Sequence, residues 1–145
     1  MKIEIEPIGV IHSPHKTREE TPIQPYFSDD IGEVEVFDKF KDGLKDVEGF
    51  SHLILVYFFH KSDKTVLQSA PFLDRKPKGV FAMRHPDRPN HIGISVVKLI
   101  EINGNILKVK GIDVLDGTPL LDIKPYVPEF DKKENFEIGW LRDKL

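Results

Sequence analysis

The chain has 145 residues, no cysteine and a formal net charge of −3. The lack of cysteine excludes disulfides, thiolate metal sites and a cysteine nucleophile, and the nearly balanced charge excludes a general binder of polyanions. No apolar run is long enough to span a bilayer, and no basic start leads into a short apolar stretch. We therefore expect one unprocessed, soluble, cytoplasmic domain over residues 1–145, without membrane association.

The first half of the chain predicts short strands separated by polar loops. Residues 3–11 alternate loosely between apolar and polar, and residues 32–37 alternate with a period of two. Residues 51–59 form the most apolar segment, which is too short for a capped buried helix and favours a strand. Short helical turns are predicted over residues 40–47 and 64–73.

The second half predicts four more strands, over residues 79–83, 92–99, 107–114 and 120–124. Asn103-Gly104 is a dipeptide that accepts positive φ and predicts a hairpin turn. The late apolar residues 139–141 are expected to fold back onto the body. Six or seven strands with little helix predict a mainly β protein, an antiparallel barrel or sandwich.

A polar loop separates the predicted strands 79–83 and 92–99. It carries two guanidiniums, two imidazoles, a carboxylate and an amide, stiffened by two prolines, in the order Arg84, His85, Pro86, Asp87, Arg88, Pro89, Asn90 and His91. Polar groups on a stiff loop between core strands are typical of a functional site, and the alternative is a solvated turn. Residues 75–98 hold six Lys and Arg against one acid, which predicts contact with an anion.

A second polar turn has the sequence DVLDGTP over residues 113–119, and Asp116-Gly117 is a strong turn signal. A local side-chain bond to the backbone explains either aspartate alone equally well. The six histidines show no short metal-ligand spacing, so no metal is predicted, and we expect His12 and His15 to be exposed. Ser13 and Ser95 are interpreted as hydrogen-bonding residues at strand ends.

Five segments in order carry a family resemblance: IGVIHSP, PIQP, GFSHLILVYFFH, GVFAMRHPDRPNHIGISVVKL and DVLDGTPLLDIKPYVP. From residue 8 to about 128 the chain resembles the TsaA-like family, the single-β-barrel tRNA (adenine-N6)-methyltransferases. The resemblance implies a single antiparallel β-barrel with minor short helices, S-adenosyl-L-methionine as cofactor, and usually a homodimer. Characterised members methylate N6 of threonylcarbamoyladenosine beside the tRNA anticodon, so tRNA is the implied partner.

The resemblance also implies roles for individual residues. Its cofactor contacts fall on Pro22, Gln24, His60, Lys61, Arg84, Ile94, Asp113, Leu115, Asp116, Gly117 and Thr118. Substrate contacts are expected at Arg84, Arg88 and Asn90, because guanidiniums pair with carboxylates and phosphates. A carbamoylated adenine nitrogen is a poor nucleophile, so a proton acceptor is expected. The catalytic candidates are His85, Asp87 and His91.

Two departures from the family pattern leave alternatives open. Ile23 stands where the family often has arginine, and Asp87 adds a negative charge to the polar loop. The alternatives are a non-catalytic barrel that binds RNA or an anionic metabolite, and a methyltransferase of the same fold that acts on a small molecule.

Overall fold

Eight strands form the regular structure of the described residues, 1–21 and 28–145, in a computed structural model. Their bounds are β1 (Gly9–His12), β2 (Ile31–Val36), β3 (His52–Phe58), β4 (Gln68–Ser69), β5 (Lys78–Gly79), β6 (Ile92–Asn103), β7 (Ile106–Lys110) and β8 (Thr118–Pro125). Six of them close into an antiparallel barrel in the order β1-β2-β7-β6-β3-β8, and β4 pairs with β5 in a separate sheet. The predicted mainly β fold and its antiparallel barrel are confirmed.

Alternation along the strands builds the core inside the barrel. Leu53, Leu55 and Tyr57 of β3 point inward and are buried, while the residues between them are half-buried on the outer side. This period of two is what a strand with one face on a core requires. The same rule explains the other buried apolar residues of the strands, Ile11, Val34, Val36, Val97, Leu107, Val109 and Leu120, and the segment after β7 adds Ile112 and Val114 to the core.

The helical segments are short. The single α-helix in the described part of the chain, α1 (Pro128–Asp131), has four residues. The described residues also contain short 3₁₀ segments, which are Arg18–Glu20, Asp38–Leu44, Val47–Gly49, Val80–Ala82, Pro89–His91 and Gly139–Leu141. The helical turn predicted for residues 40–47 is confirmed in 3₁₀ form. None of the helices in the described residues is long and apolar enough to cross a membrane.

Three predictions of local structure need correction. Residues 79–83 are not a buried strand, because β5 ends at Gly79 and the chain turns so that Val80 is buried while Phe81 is 77% exposed. Residues 64–73 hold the short strand β4 in place of a helix. The first strand begins only at Gly9, and residues 3–8 are unpaired in the barrel except for backbone bonds of Ile8. Short apolar runs do not distinguish a strand from a turn by periodicity alone.

The two ends of the barrel differ. One end, which we call the closed end, is covered by the 3₁₀ segment after β2, whose Phe40 and Leu44 pack against the core. The other end, which we call the site end, gathers the segments that follow β1, β3 and β7 and those that precede β2, β6 and β8. In an antiparallel barrel these segments necessarily meet at the same end.

Candidate functional site

Strand pairing brings the predicted polar segments together at the site end. Phe58 of β3 pairs with Ile92 of β6, and the Phe59 amide donates to the His91 carbonyl at 2.8 Å. His60 and Lys61 therefore follow directly beside the end of the polar loop. On the far side of β3, the start of β8 also lies at this end, since Leu120 pairs with Tyr57.

A buried cluster, which we call the Asp113 cluster, consists of Asp113, Ser95 and Tyr57. Asp113 is 6% exposed, and the Ser95 hydroxyl donates to its Oδ1 at 2.5 Å. The same Ser95 oxygen lies 2.8 Å from the Tyr57 hydroxyl. Ser95 sits within β6, so its placement at a strand end was wrong, although its hydrogen-bonding role is confirmed. The cluster ties the 113–118 turn to two strands.

Burial sets the protonation of the Asp113 cluster. It raises the pKa of Asp113 to about 7, although the Ser95 hydrogen bond and the charge of Arg84 oppose the shift. Burial and the nearby Asp113 carboxylate likewise raise the pKa of the Tyr57 phenol, again against Arg84. At neutral pH the Asp113 carboxyl is therefore close to half protonated. The shared influence of Arg84 places its guanidinium within electrostatic reach of both groups.

Hydrogen bonds join the 113–118 turn to the segment after β1. The Ser13 amide donates to Asp116 Oδ1 at 2.9 Å, and Lys16 Nζ lies 2.9 Å from Asp116 Oδ2. The Lys16 and Ser13 hydrogen bonds hold the pKa of Asp116 below its usual range, so this carboxylate is ionised. Gly117 has a φ of +83°, which favours glycine, and the Thr118 hydroxyl donates to the Leu115 carbonyl at 2.6 Å. The Asp116 bonds are therefore long-range rather than a local turn bond.

His15 is buried, which contradicts the prediction that it is exposed. Its Nε2 lies 3.1 Å from the Ile112 carbonyl and 3.2 Å from Asp30 Oδ2, so the Nε2 proton is donated to acceptors on two segments. The Ser13 hydroxyl donates to the Val114 carbonyl at 2.6 Å. Ser13 and His15 thus hold residues 112–114, which lie beyond the end of β7 at Lys110, although a strand was predicted through residue 114. No local pattern in the sequence indicates these partners, because they lie about a hundred positions away.

A second buried carboxylate, that of Asp87, stabilises the polar loop. Asp87 is 2% exposed and accepts a hydrogen bond from the Ser62 hydroxyl at 2.6 Å, while Arg18 Nη2 lies 3.5 Å from its other oxygen. We call these three residues the Asp87 cluster. Burial opposes ionisation of Asp87, but Ser62, Arg18 and the nearby His85 together outweigh it and hold the pKa of the carboxyl below its usual range. Both oxygens are engaged and the group is a weak base, so its role is to join three segments.

The two histidines of the polar loop have different tautomers. His85 Nδ1 accepts from the Asp87 amide at 3.0 Å, so a neutral His85 carries its proton on Nε2. Burial lowers the pKa of His85. His91 Nδ1 donates to the Pro86 carbonyl at 3.1 Å, which leaves the lone pair on Nε2, with the Thr65 hydroxyl 3.4 Å away. A neutral imidazole oriented by a backbone carbonyl is the form that a general base requires.

The end of the polar loop has an uncommon backbone. Asn90 and His91 have φ values of +66° and +52°, in the left-handed region. Neither residue is a glycine, so this part of the loop has a backbone conformation that such residues rarely adopt.

The remaining predicted site residues fall in several places. Arg88 Nη1 donates to the Met83 carbonyl at 2.7 Å, so part of its guanidinium supports the loop itself. His60 is half-buried, and burial followed by the charge of Lys61 lowers its pKa. Ile94 is exposed on the outer side of β6, while its carbonyl accepts from the Tyr57 hydroxyl at 3.3 Å. The predicted contacts Pro22 and Gln24 lie outside the described residues.

The site contains no arrangement of three or more His, Asp and Glu side chains suited to a metal ion within the described part of the chain. The absence of a metal from the reaction stays a prediction.

Comparisons with known proteins identify relatives of this chain. Residues 10–132 match the family described as the tRNA-methyltransferase O N-terminal domain. A protein of Pyrococcus abyssi, named "Probable S-adenosyl-L-methionine-binding protein", is 58% identical over 136 residues, which are 93% of this chain and 74% of that protein. The Homo sapiens tRNA (adenine(37)-N6)-methyltransferase is 37% identical over 139 residues, which are 90% of this chain and 31% of that enzyme.

The fold has a close counterpart among solved structures. The crystal structure of TrmO from Pseudomonas aeruginosa aligns with a TM-score of 0.82 and 37% identity, over 96% of this chain and 62% of that one. This chain therefore spans less than two thirds of the solved protein and about a third of the human relative.

Proposed function

The chain belongs to the tRNA-methyltransferase O family, by its N-terminal domain, and we propose that it transfers a methyl group from S-adenosyl-L-methionine to N6 of threonylcarbamoyladenosine beside the tRNA anticodon. The observation that carries the proposal is that the polar loop with Arg84 and the 113–118 turn lie at the same end of the barrel, where the charge of Arg84 acts on Asp113. The names of the relatives, which include S-adenosyl-L-methionine-binding proteins and tRNA methyltransferases, support it.

The residues of the site end fit the proposed methyl donor. S-adenosyl-L-methionine supplies a methyl group that is already activated, together with an anionic carboxylate and an adenosine. Arg84 provides the positive charge that a carboxylate needs, and a guanidinium binds such a group with two parallel hydrogen bonds. The 113–118 turn lies within electrostatic reach of Arg84 through Asp113, and it is held by Ser13, Lys16 and Ser95. Rigid positioning is the main protein contribution when the transferred group is already reactive.

His91 is the proton acceptor that the geometry favours among the three catalytic candidates. Its Nε2 carries a lone pair, and its ring is oriented by the Pro86 carbonyl. His85 offers only an N–H at Nε2 in the neutral form, because its Nδ1 already accepts from the Asp87 amide. Asp87 is ionised, but Ser62 and Arg18 occupy it. In the proposed reaction His91 Nε2 takes the N6 proton as the bond from N6 to the methyl carbon forms and the bond from sulfur to that carbon breaks, so that S-adenosyl-L-homocysteine is the leaving group.

The outer surface of the barrel supports a homodimer. The outer residues of β3 and β6 are apolar at Ile54, Val56, Ile94 and Val96, and the last two are exposed. The wall formed by β2 and β7 is charged, where Glu33 of β2 pairs with Lys108 of β7. We propose that a second copy of the chain covers the apolar wall, because water solvates its apolar side chains poorly and solvates the charged side chains of the other wall well. Light scattering of the parent and of V96E is the test: a dimer that V96E weakens supports it, and a parent that stays monomeric contradicts it.

Incubation of the protein with methyl-labelled S-adenosyl-L-methionine and total tRNA, followed by mass spectrometry of the nucleosides, tests the proposed reaction. The expected product is threonylcarbamoyladenosine with one labelled methyl group on N6. His91→Gln should lower the rate at saturating cofactor by roughly 10²- to 10⁴-fold. Cofactor binding without any labelled tRNA would favour a small-molecule substrate. Binding of tRNA without cofactor binding would favour the non-catalytic barrel.

A further inference from the structure

The C-terminal segment is fastened to the residues that lead into Arg84. Trp140, the only tryptophan of the chain, lies in the 3₁₀ segment Gly139–Leu141 and is half-buried. Its indole Nε1 donates to the Ala82 carbonyl at 2.7 Å, across 58 positions of sequence. The predicted return of residues 139–141 onto the body is confirmed by this bond.

A second contact holds the indole from its face. Lys78 Nζ lies 5.9 Å from the centre of the Trp140 ring, within the range of a cation–π interaction. The same ammonium is 3.4 Å from Asp74 Oδ2, and both side chains are only about a fifth exposed. Partial burial of the lysine strengthens its attraction to the ring, because water screens it less. The indole is therefore fixed by its edge and by its face.

The segment between Val80 and Arg84 is held at three successive points. The Val80 side chain is buried, and its amide donates to the Leu67 carbonyl at 2.9 Å. The Ala82 carbonyl accepts from Trp140. The Met83 carbonyl accepts from Arg88 Nη1 at 2.7 Å. Two consecutive carbonyls immediately before Arg84 are thus fixed by side chains from outside the segment.

We propose that Trp140 is a positioning residue for Arg84, which rests on the proposed role of Arg84 in binding the methyl donor. Phe81 of this segment is 77% exposed, so the segment has few apolar contacts of its own after Val80. Without the indole N–H, the Ala82 carbonyl exchanges its partner for water and the backbone before Arg84 gains freedom. The methyl donor then has to order that backbone when it binds, and its affinity falls.

Two substitutions at Trp140 separate the hydrogen bond from the ring. W140F keeps an aromatic face for Lys78 and loses the N–H, and W140A removes both. Phe136, in the same tail and 69% exposed, provides the matched control F136A. Calorimetry with S-adenosyl-L-methionine should show roughly three- to tenfold weaker binding to W140F and at least as large a loss for W140A, with F136A unchanged. In the methyl-transfer assay, W140F should raise KM for the cofactor and leave kcat nearly unchanged.

Amide hydrogen exchange of residues 80–84 in the cofactor-free protein tests separately whether Trp140 holds this segment. Faster exchange in W140F than in the parent, at an unchanged melting temperature, supports the proposal. Equal exchange and equal cofactor affinity in W140F and the parent would overturn the proposal and leave the proposed function intact. A parent that binds no S-adenosyl-L-methionine would overturn the proposed function, and with it the role of Trp140 in cofactor binding, while the exchange data would still report whether Trp140 holds the segment.

Discussion

Asp87 and Asp113 are two buried carboxyl groups at the same end of the barrel, and the protein holds them in different protonation states. Both are almost inaccessible, at 2% and 6% exposure. The pKa of Asp87 is below its usual range, whereas the pKa of Asp113 is raised to about 7. A low exposed fraction alone therefore does not determine the protonation state of a carboxyl group in this site.

Depth in the protein and the partners of each group together explain the difference. Desolvation dominates at Asp113, which lies much deeper in the protein than Asp87. Asp87 receives a hydroxyl hydrogen bond on one oxygen and the Arg18 guanidinium on the other, and these partners, with the charge of His85, overcome its smaller desolvation cost. Asp113 receives one hydroxyl hydrogen bond from Ser95, while Arg84 acts on it through its electric field. The first arrangement suits a permanent structural link. The second leaves a group that responds to charge in its surroundings, beside the proposed cofactor pocket.

The largest expected effect is that of D113N on the pH dependence of stability. A folded-state pKa of about 7, above the ordinary value of about 4, means that the folded protein binds the proton more tightly than the unfolded chain does. The parent should therefore lose up to about 4 kcal/mol of unfolding free energy as pH rises from about 4 to about 7. Asn keeps the oxygen that accepts from Ser95 and does not titrate. Denaturant unfolding across pH 4–8 should show that D113N lacks this loss.

An exposed acid provides the control for that series. E101Q changes a side chain on the outer surface of the barrel, and its unfolding free energy should equal that of the parent at every pH. If the unfolding free energy of D113N also changes with pH as that of the parent does, Asp113 is ionised throughout. The two carboxyl groups would then not differ in protonation.

The second effect is that of D87N, with the opposite dependence on pH. A lowered folded-state pKa contributes stability that is present above the ordinary pKa and lost as pH falls through the folded value. D87N removes the charge that Ser62 and Arg18 stabilise, and Arg18 is more than half exposed, so we expect a loss of about 2 kcal/mol at pH 7. Urea unfolding should show the gap between D87N and the parent closing below about pH 4. A gap that widens in acid would contradict the assignment.

The smallest of the three effects is that of S95A, which sharpens the comparison. Removal of the Ser95 hydroxyl should cost about 1 kcal/mol of unfolding free energy, since two buried groups lose a partner. The Ser95 bond lowers the pKa of Asp113, so its loss should raise that pKa further. Carbon-13 NMR of the aspartate carboxyls measures this directly. A shift of the Asp113 titration to lower pH would contradict the cluster as described.

Strand patterns and turn residues made most of the fold predictable. The apolar segments 51–59 and 92–99 predicted two strands, which are β3 and β6, and Asp116-Gly117 predicted a turn that the structure contains. That β3 and β6 pair with each other was not predicted. The hairpin predicted at Asn103-Gly104 is also present between β6 and β7, where Gly104 has a φ of +66°. These features depend on neighbours in sequence, and neighbours in sequence are visible without a structure.

The interior of the site was less predictable because its contacts are long-range. The burial of His15 depends on Ile112, and the role of Ser95 depends on Asp113 and Tyr57. Residues 79–83 were mistaken for a strand because the turn at Val80 is set by Leu67 and Trp140, which no local pattern reveals. The family resemblance predicted the location of the site, and this location stays a prediction. The different protonation of the two carboxyl groups follows only from the folded chain.

Calorimetric titration of S-adenosyl-L-methionine into the parent, R84A and R75A tests the central claim most directly. Arg75 is an exposed arginine of the same basic stretch and provides the charge-matched control. A lost charge-assisted hydrogen bond costs about 1.5–3 kcal/mol, so R84A should bind the cofactor roughly ten- to a hundredfold more weakly than the parent, at a nearly unchanged melting temperature. R75A should bind like the parent. If R84A and R75A bind the cofactor equally well, the site end of the barrel is not the cofactor pocket.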